Sequence, residues 1–372
     1  MKRIPIIQPK ISGKVFTYLK DVFKSGILTR GKYVSLFENK IKSVTQSKYG
    51  FAVTSGTTAL HLALAAIGIK EGDEVLVADF TFPATANVVV QLGAKPVLVD
   101  INLETLCMDV SDLEKKITQK SQAIMVVHAF GYPADMSRIN KIAKAHNLKV
   151  IEDAACALGS KHKDKACGAW GELGCFSFHP RKVITTGEGG VVVTDNKDLA
   201  QKIDSLRNHG SIKTQKGLEF KEAGFNYRMS ELQAALGVEQ MAGFKKIEKK
   251  RLNLAKNYKN LLKNIPEITL FSEPKDGFFN YQAFIVLFDE KTNREKVMAA
   301  LAEKNIETTI GTYALHTQPA FAKYGYKPKD LKNSYIAYKQ TMALPLYFDL
   351  TKTQQKYIIK TLKEALKGAA HV

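Results

Sequence analysis

Cysteine is scarce in this chain: four residues in 372, at positions 107, 156, 167 and 175, without a Cys-x-x-Cys pair. Such spacing excludes a disulfide framework and a zinc ribbon, so the four are read as small buried hydrophobes and no metal site is expected. Long apolar runs are missing too. Nothing approaches a membrane span, and the opening Met1-Lys-Arg-Ile-Pro has charge without the apolar stretch of a signal peptide, so a cytoplasmic protein with no membrane partner is expected. Repeats and low-complexity segments are absent. Acidic residues are outnumbered, 36 Asp and Glu against 55 Lys and Arg, for a net charge of +19. That surplus raises nucleic acid as a partner, yet there is no helix-turn-helix with base-reading residues, no aromatic RNA platform and no basic arm. The lysines are instead dispersed over helical faces, as in Lys245 to Arg251 and Lys352 to Lys367, where they serve as solvated surface that also favours an anionic ligand.

What is present is a globular composition, 45% hydrophobic, long enough for one large and one smaller domain. From about residue 50, short apolar runs alternate with amphipathic stretches, the pattern of an α/β fold whose mostly parallel sheet is covered by helices on both faces. Strands are predicted at Tyr49 to Thr54, Glu74 to Ala78, Pro96 to Asp100, Ala123 to His128, Lys149 to Glu152, Cys175 to Phe178 and Gly190 to Thr194. Helices are predicted at Thr57 to Ile67, Ala84 to Leu92, Ser111 to Ile117 and Met136 to His146. Ser230 to Ile265 carries apolar positions at helical spacing with few breakers and reads as one long or kinked helix leading out of the core. Beyond it, a strand at Tyr281 to Phe288 and helices at Asn293 to Lys304 and Thr353 to Leu366 form a separate α+β unit. The expected division is a large domain at 1–250 and a small one at 251–372.

Three segments carry chemistry. Val53-Thr-Ser55-Gly56-Thr57-Thr58 joins a strand end to a helix start; its free N–H groups, hydroxyls and helix dipole suit a phosphate, although the same residues make a plain helix cap. Asp153 follows an apolar run, which places it at the carboxyl end of a buried strand, where open α/β sheets bind ligands. It could pair there with a protonated ring nitrogen or simply cap a helix. Lys182 lies between the strand at Cys175 and the turn Thr185-Thr-Gly-Glu-Gly-Gly190. A lysine partly desolvated beside a ring can attack an aldehyde; a surface lysine is the alternative, and the ordered combination of segments decides against it.

Ser55-Gly-Thr-Thr58, Thr81-Phe82-Pro-Ala-Thr-Ala-Asn87, Glu152-Asp153-Ala-Ala155, Ser177-Phe-His-Pro-Arg-Lys182, Thr186-Gly-Glu-Gly-Gly190 and Gly224-Phe-Asn-Tyr-Arg-Met229 occur in one order. The chain thereby resembles the DegT/DnrJ/EryC1/StrS family of sugar aminotransferases, from Ile6 to Ala343-Leu-Pro-Leu-Tyr347. The resemblance implies the fold-type I architecture, a three-layer αβα large domain with a smaller C-terminal α+β domain, and pyridoxal 5'-phosphate (PLP) as cofactor. It implies Lys182 as the Schiff-base residue and Asp153 as partner of the pyridine nitrogen. Ser55, Gly56, Thr57, Thr58 and Ser177 would hold the phosphate, and Phe82 would stack on the ring. A homodimer with shared sites is implied, in which Asn226 reaches the phosphate of the partner subunit, with Arg228 and His316 toward the substrate. His128 is expected to be structural. Cys156 stands where many relatives have Gln or His, and the contact near the ring hydroxyl is expected to differ accordingly.

The activity implied is transfer of an amino group from L-glutamate to the keto group of a nucleotide-linked sugar, for amino-sugar biosynthesis, with Lys182 moving the protons. Relatives in which His replaces the lysine are dehydratases; Lys182 sets this chain apart from them. Two rivals follow from the same residues: another fold-type I enzyme acting on amino acids, and a basic nucleic-acid-associated regulator on this fold. The second leaves Lys182, Asp153 and Phe82 without a reason for their shared spacing.

Overall fold

The computed structural model describes residues 3–369. Seven strands make the central sheet: β1 (Tyr49–Val53), β2 (Glu74–Ala78), β3 (Lys95–Val99), β4 (Ser121–Val127), β5 (Lys149–Asp153), β6 (Leu173–Ser177) and β7 (Gly190–Thr194). All seven predicted strands are therefore present. Their order is β1-β7-β6-β5-β4-β2-β3. Only β7 runs against its neighbours; the pairs from β6 through β3 are parallel. Every residue of β2 is buried, as expected of a strand covered on both faces.

The two faces divide by the period-2 alternation of the strands. Val75 and Val77 pack with Leu60 of α1 (Gly56–Ala66), Val88 of α2 (Ala84–Gln91) and Ile203 of the helix Lys197–Leu206. Leu76 and Ala78 turn to the opposite face, toward Ile139 of the helix Met136–Ala145. On that side of the β1 end, Phe37 of the helix Lys32–Thr45 joins Val191 and Val193. The result is the three-layer α/β arrangement.

The long helix predicted from Ser230 forms at Glu231–Leu262. A reciprocal cap starts it: Ser230 Oγ accepts from Gln233 N at 3.3 Å while Gln233 Oε1 accepts from Ser230 N at 3.1 Å. The expected division at 250/251 lies within this helix. Its last turns bury Tyr258 and Leu262 against a second, four-stranded sheet of Ile268–Leu270, Phe284–Phe288, Thr341–Leu344 and Thr309–Ile310, antiparallel throughout. Ile4 packs in the same core, donating its N–H to Asn305 O and accepting from Glu307 N. The strand predicted from Tyr281 begins only at Phe284 because Tyr281 takes a left-handed turn, φ 52°.

Buried Arg251 fixes that turn. Its guanidinium donates to the carbonyls of Tyr281 and Gln282, and to Leu346 O at 3.3 Å. Burial pulls its pKa down to about 10, still charged at neutral pH. The charge is satisfied by carbonyl dipoles, and a helix of the large unit is thereby tied to a turn of the small one.

Candidate active site

The sequence-predicted residues gather at the carboxyl ends of the parallel strands. Asp153 is the last residue of β5, Ser177 the last of β6, and Ser55 follows β1 by one residue. Phe82 follows β2 through the short strand Phe80–Thr81, and Lys182 sits in the connection between β6 and β7. Where neighbouring parallel strands end together, a cleft opens between their outgoing loops, and ligands bind there.

At the β1–α1 junction Ser55 and Thr58 engage each other. Ser55 Oγ accepts from Thr58 N at 3.1 Å, and Thr58 Oγ1 accepts from Ser55 N at 3.0 Å. The hydroxyls of Ser55 and Thr58 thus build the helix cap, while Thr57 is exposed on the first turn, beside N–H groups that helix geometry leaves unpaired. Close approach demands the glycines here. A Cβ on Gly56 would stand 2.7 Å from Ser177 Cβ, and one on Gly190 2.3 Å from Ser55 O. The helix end, Ser177 and the start of β7 therefore share one cradle into which no further side chain fits.

Asp153 is buried, 6% exposed. Thr85 Oγ1 donates to its Oδ2 at 2.8 Å and Ala155 N to its Oδ1 at 3.2 Å. Desolvation raises its pKa, against the Thr85 hydrogen bond and the positive charge of Lys182. A buried carboxylate served by one hydroxyl and one amide is short of positive charge, which a protonated ring nitrogen would supply. Phe82, on the connection after β2, is 64% exposed, with Tyr313 edge-on at 6.3 Å. An aromatic ring left open three residues before Thr85, the donor to Asp153, suits a planar ligand. These residues fit PLP.

Lys182 Nζ donates to Cys156 Sγ at 3.1 Å. Of the four cysteines, 107, 167 and 175 are buried as expected, whereas Cys156 is only partly so and faces the lysine. Its place beside Lys182 is what reading it as packing alone misses.

Asn226 and Arg228 lie on a segment bound to the large unit. Thr54 N donates to Tyr227 O at 3.0 Å, Arg228 pairs its backbone with Val53, and Arg228 Nη1 donates to Asn208 Oδ1 at 2.7 Å. Alternation turns Tyr227 inward toward His61 and leaves Asn226 exposed.

His316 is placed otherwise than a substrate contact requires. Its side chain is 1% exposed, with Nδ1 donating to Asp79 Oδ2 at 2.6 Å and its own N–H to Asp79 Oδ1 at 2.8 Å. The segment around it does approach the cleft, because Tyr313–Ala314 pairs with Phe80–Thr81; the imidazole itself is committed to the interior.

His128 is fully buried as expected of a structural residue. Ala134 N donates into its Nδ1 at 3.1 Å, which leaves the proton on Nε2, 2.8 Å from Glu152 Oε2. Asp79, Thr85, Glu152 and Gln282 are the residues that sequence reasoning passed over. Thr85 and Glu152 lay inside quoted motifs; Asp79 and Gln282 carried no local signal.

Fold and site together define a PLP-dependent transaminase of fold-type I. Residues 9–363 match the DegT/DnrJ/EryC1/StrS aminotransferase family, and the chain belongs to it. It is 38% identical over 368 residues to GDP-perosamine synthase of Escherichia coli O157:H7, covering 98% of this chain and 99% of that one. Among solved structures, DesV of S. venezuelae in complex with a ketimine intermediate superposes with a TM-score of 0.93 at 30% identity, covering 100% of each chain. The Streptococcus pneumoniae protein Spr1654 in its PLP-form gives a TM-score of 0.93 at 25% identity, covering 99% of each. Among the described residues no helix is long and apolar enough to cross a membrane.

Proposed function

We propose that this transaminase takes its amino group from L-glutamate and delivers it to the keto group of a nucleotide-linked sugar, in a homodimer whose two sites each draw on both chains. The observation that carries the reading is the convergence of Lys182, buried Asp153 and exposed Phe82 at one end of the sheet. The name of the E. coli relative, a GDP-perosamine synthase, supports the substrate class. When bound, PLP supplies a carbonyl carbon that forms a bond to nitrogen and a ring that withdraws electrons from the carbon being deprotonated.

The chain's residues do the rest. Lys182 is the point of covalent attachment and, once displaced by the donor's nitrogen, the base that removes its α-proton and returns a proton to the sugar carbon in the second half-reaction. Asp153 keeps the ring nitrogen protonated, since burial makes an unpaired carboxylate costly and a charge pair favourable. Phe82 covers one ring face. Thr57 and Ser177, with the N–H groups at the start of α1, hold the phosphate; Ser55, Gly56 and Thr58 shape that end of the helix. Asn226, exposed on an anchored segment, reaches the phosphate held by the partner subunit, and Arg228 aligns the segment. The net charge of +19 speeds the approach of anionic substrates.

Borohydride reduction of the loaded protein should fix the cofactor on Lys182, and Lys182→Ala should abolish turnover. Absence of a reducible visible absorption, or turnover by the variant, overturns the assignment. Mixing Lys182→Ala with Asn226→Ala chains should restore part of the activity; no restoration under proven subunit exchange would rule out the shared site. A screen of keto-sugar nucleotides with glutamate, read by mass spectrometry, identifies the substrate.

A further inference from the structure

Gln282 belongs to the small unit, yet it lines the same cavity as Cys156, Ser177 and Lys182. It is 8% exposed, and its Oε1 has no hydrogen-bond partner among the described residues. The amide cannot flip to relieve this, because its Nε2 already donates to Arg181 O. The carbonyl oxygen is therefore the end left unpaired in the wall of the lysine's cavity. Its surroundings are fixed. Gln282 N donates to Asn280 Oδ1 at 2.8 Å, and the Gln282 carbonyl accepts from Arg251. Asn280 Nδ2 in turn donates to Cys156 O at 2.9 Å and Leu158 O at 3.0 Å. One asparagine thus ties Gln282 to Cys156, and Cys156 Sγ is 3.1 Å from Lys182 Nζ.

We propose that Cys156 Sγ and Gln282 Oε1 form a seat for the Lys182 amine while it is free of the cofactor. The inference rests on Lys182 being the cofactor lysine. When Nζ removes a proton from the donor's α-carbon it becomes an ammonium with three N–H groups, each of which needs an acceptor once water is excluded. Gln282 Oε1 is a strong acceptor with nothing else to bind, and Sγ a weak one already in contact. With two N–H groups seated, the third stays directed at the carbon to be reprotonated, and the amine returns to its neutral form when that proton leaves. An unpaired buried carbonyl is costly. Its presence in this wall is explained if the ammonium fills it during turnover. Cys156 and Gln282 are positioning residues, acting through Lys182.

The test uses the loaded enzyme and, independently, the cofactor-free protein. Gln282→Leu keeps the volume and removes the acceptor. It should lower kcat by about tenfold with the KM for glutamate within about twofold, raise the isotope effect with α-deuterated glutamate, and move the pH midpoint of the visible absorption. Gln282→Glu, which keeps an acceptor, should restore most of kcat. In cofactor-free protein, alkylation of Cys156 by iodoacetamide should speed up by about fivefold on Lys182→Ala, because the amine that covers Sγ at 3.1 Å is removed. An unchanged kcat and midpoint in Gln282→Leu, or alkylation indifferent to Lys182, overturns the seat. Should Gln282→Leu fail to fold, Gln282→Asn, which withdraws the carbonyl from the cavity, replaces it with the same readouts. Borohydride fixation on Lys182 in every variant separates failure of the seat from failure of the cofactor assignment.

Discussion

Asp79 holds His316 with both carboxylate oxygens, although 237 positions separate them, and neither side chain is more than 1% exposed. The pair closes the strand contact Phe80–Thr81 to Tyr313–Ala314, which carries Phe82 and leads to Thr85. Asp79→Ala leaves two buried donors of His316 unpaired and should cost about 2–4 kcal/mol in denaturant unfolding. Because the strand also aims Phe82, cofactor affinity should fall in the variants that still fold. Unchanged stability and affinity would remove the pair from any positioning role.

Asp153 predicts a pH dependence with a definite sign. Burial raises its pKa in the folded protein, so the fold binds this proton more tightly than the unfolded chain does. The stabilisation this gives is complete below the unfolded value and is lost as pH rises through the folded value. Cofactor-free Asp153→Asn should therefore melt above the wild type at pH 7–8, by roughly 2 °C per kcal/mol recovered, with the gap closing toward pH 4. With cofactor bound the order should reverse, since the wild-type carboxylate then has its cation. Thermal melts of both proteins with and without PLP decide it.

Glu152, beside Asp153 on β5, is fully buried and collects four donors. Gly168 N, Trp170 N and Gly171 N approach within 2.6–2.7 Å, and His128 Nε2 within 2.8 Å. Glu152→Gln turns an NH2 group toward these donors and should destabilise by about 3 kcal/mol or more, read as a lower denaturation midpoint at unchanged slope. A midpoint within error of the wild type would mean that the loop 168–171 is held by something else.

Phe82 separates binding from folding. At 64% exposure it contributes little to the core, so Phe82→Ala should leave the cofactor-free melting temperature within about 1 °C. PLP affinity should fall about tenfold, near the 0.5–1.5 kcal/mol of an aromatic contact, with Phe82→Tyr close to wild type. Fluorescence titration with PLP measures this; equal affinity in the alanine variant would exclude the stacking role.

The sheet was legible because its strands are short, mostly apolar and bounded by breakers, as β2 and β7 illustrate. Lys182 and Asp153 were legible only through the ordered combination of segments in which they stand, since a surface lysine and a capping aspartate were ready alternatives for either alone. The long helix from Ser230 was readable by the helical spacing of its apolar positions and its few breakers. Other features depend on distance in space alone. Nothing near Gln282 marks it as lining one cavity with a lysine one hundred positions earlier, and nothing near His316 distinguishes an imidazole aimed at a substrate from one paired with Asp79. The early start predicted for the strand at Tyr281 followed apolar residues through a turn that Arg251 enforces from another element.

Ser177 and Gly190 face each other across the β6–β7 pair, so the excursion carrying Lys182 leaves and rejoins the sheet at a single rung. For an engineer this is a mounting point. Residues inserted near Glu188, on the exposed side of the excursion, would lengthen it without displacing either strand. The position of the amine could then be varied while the scaffold is left untouched.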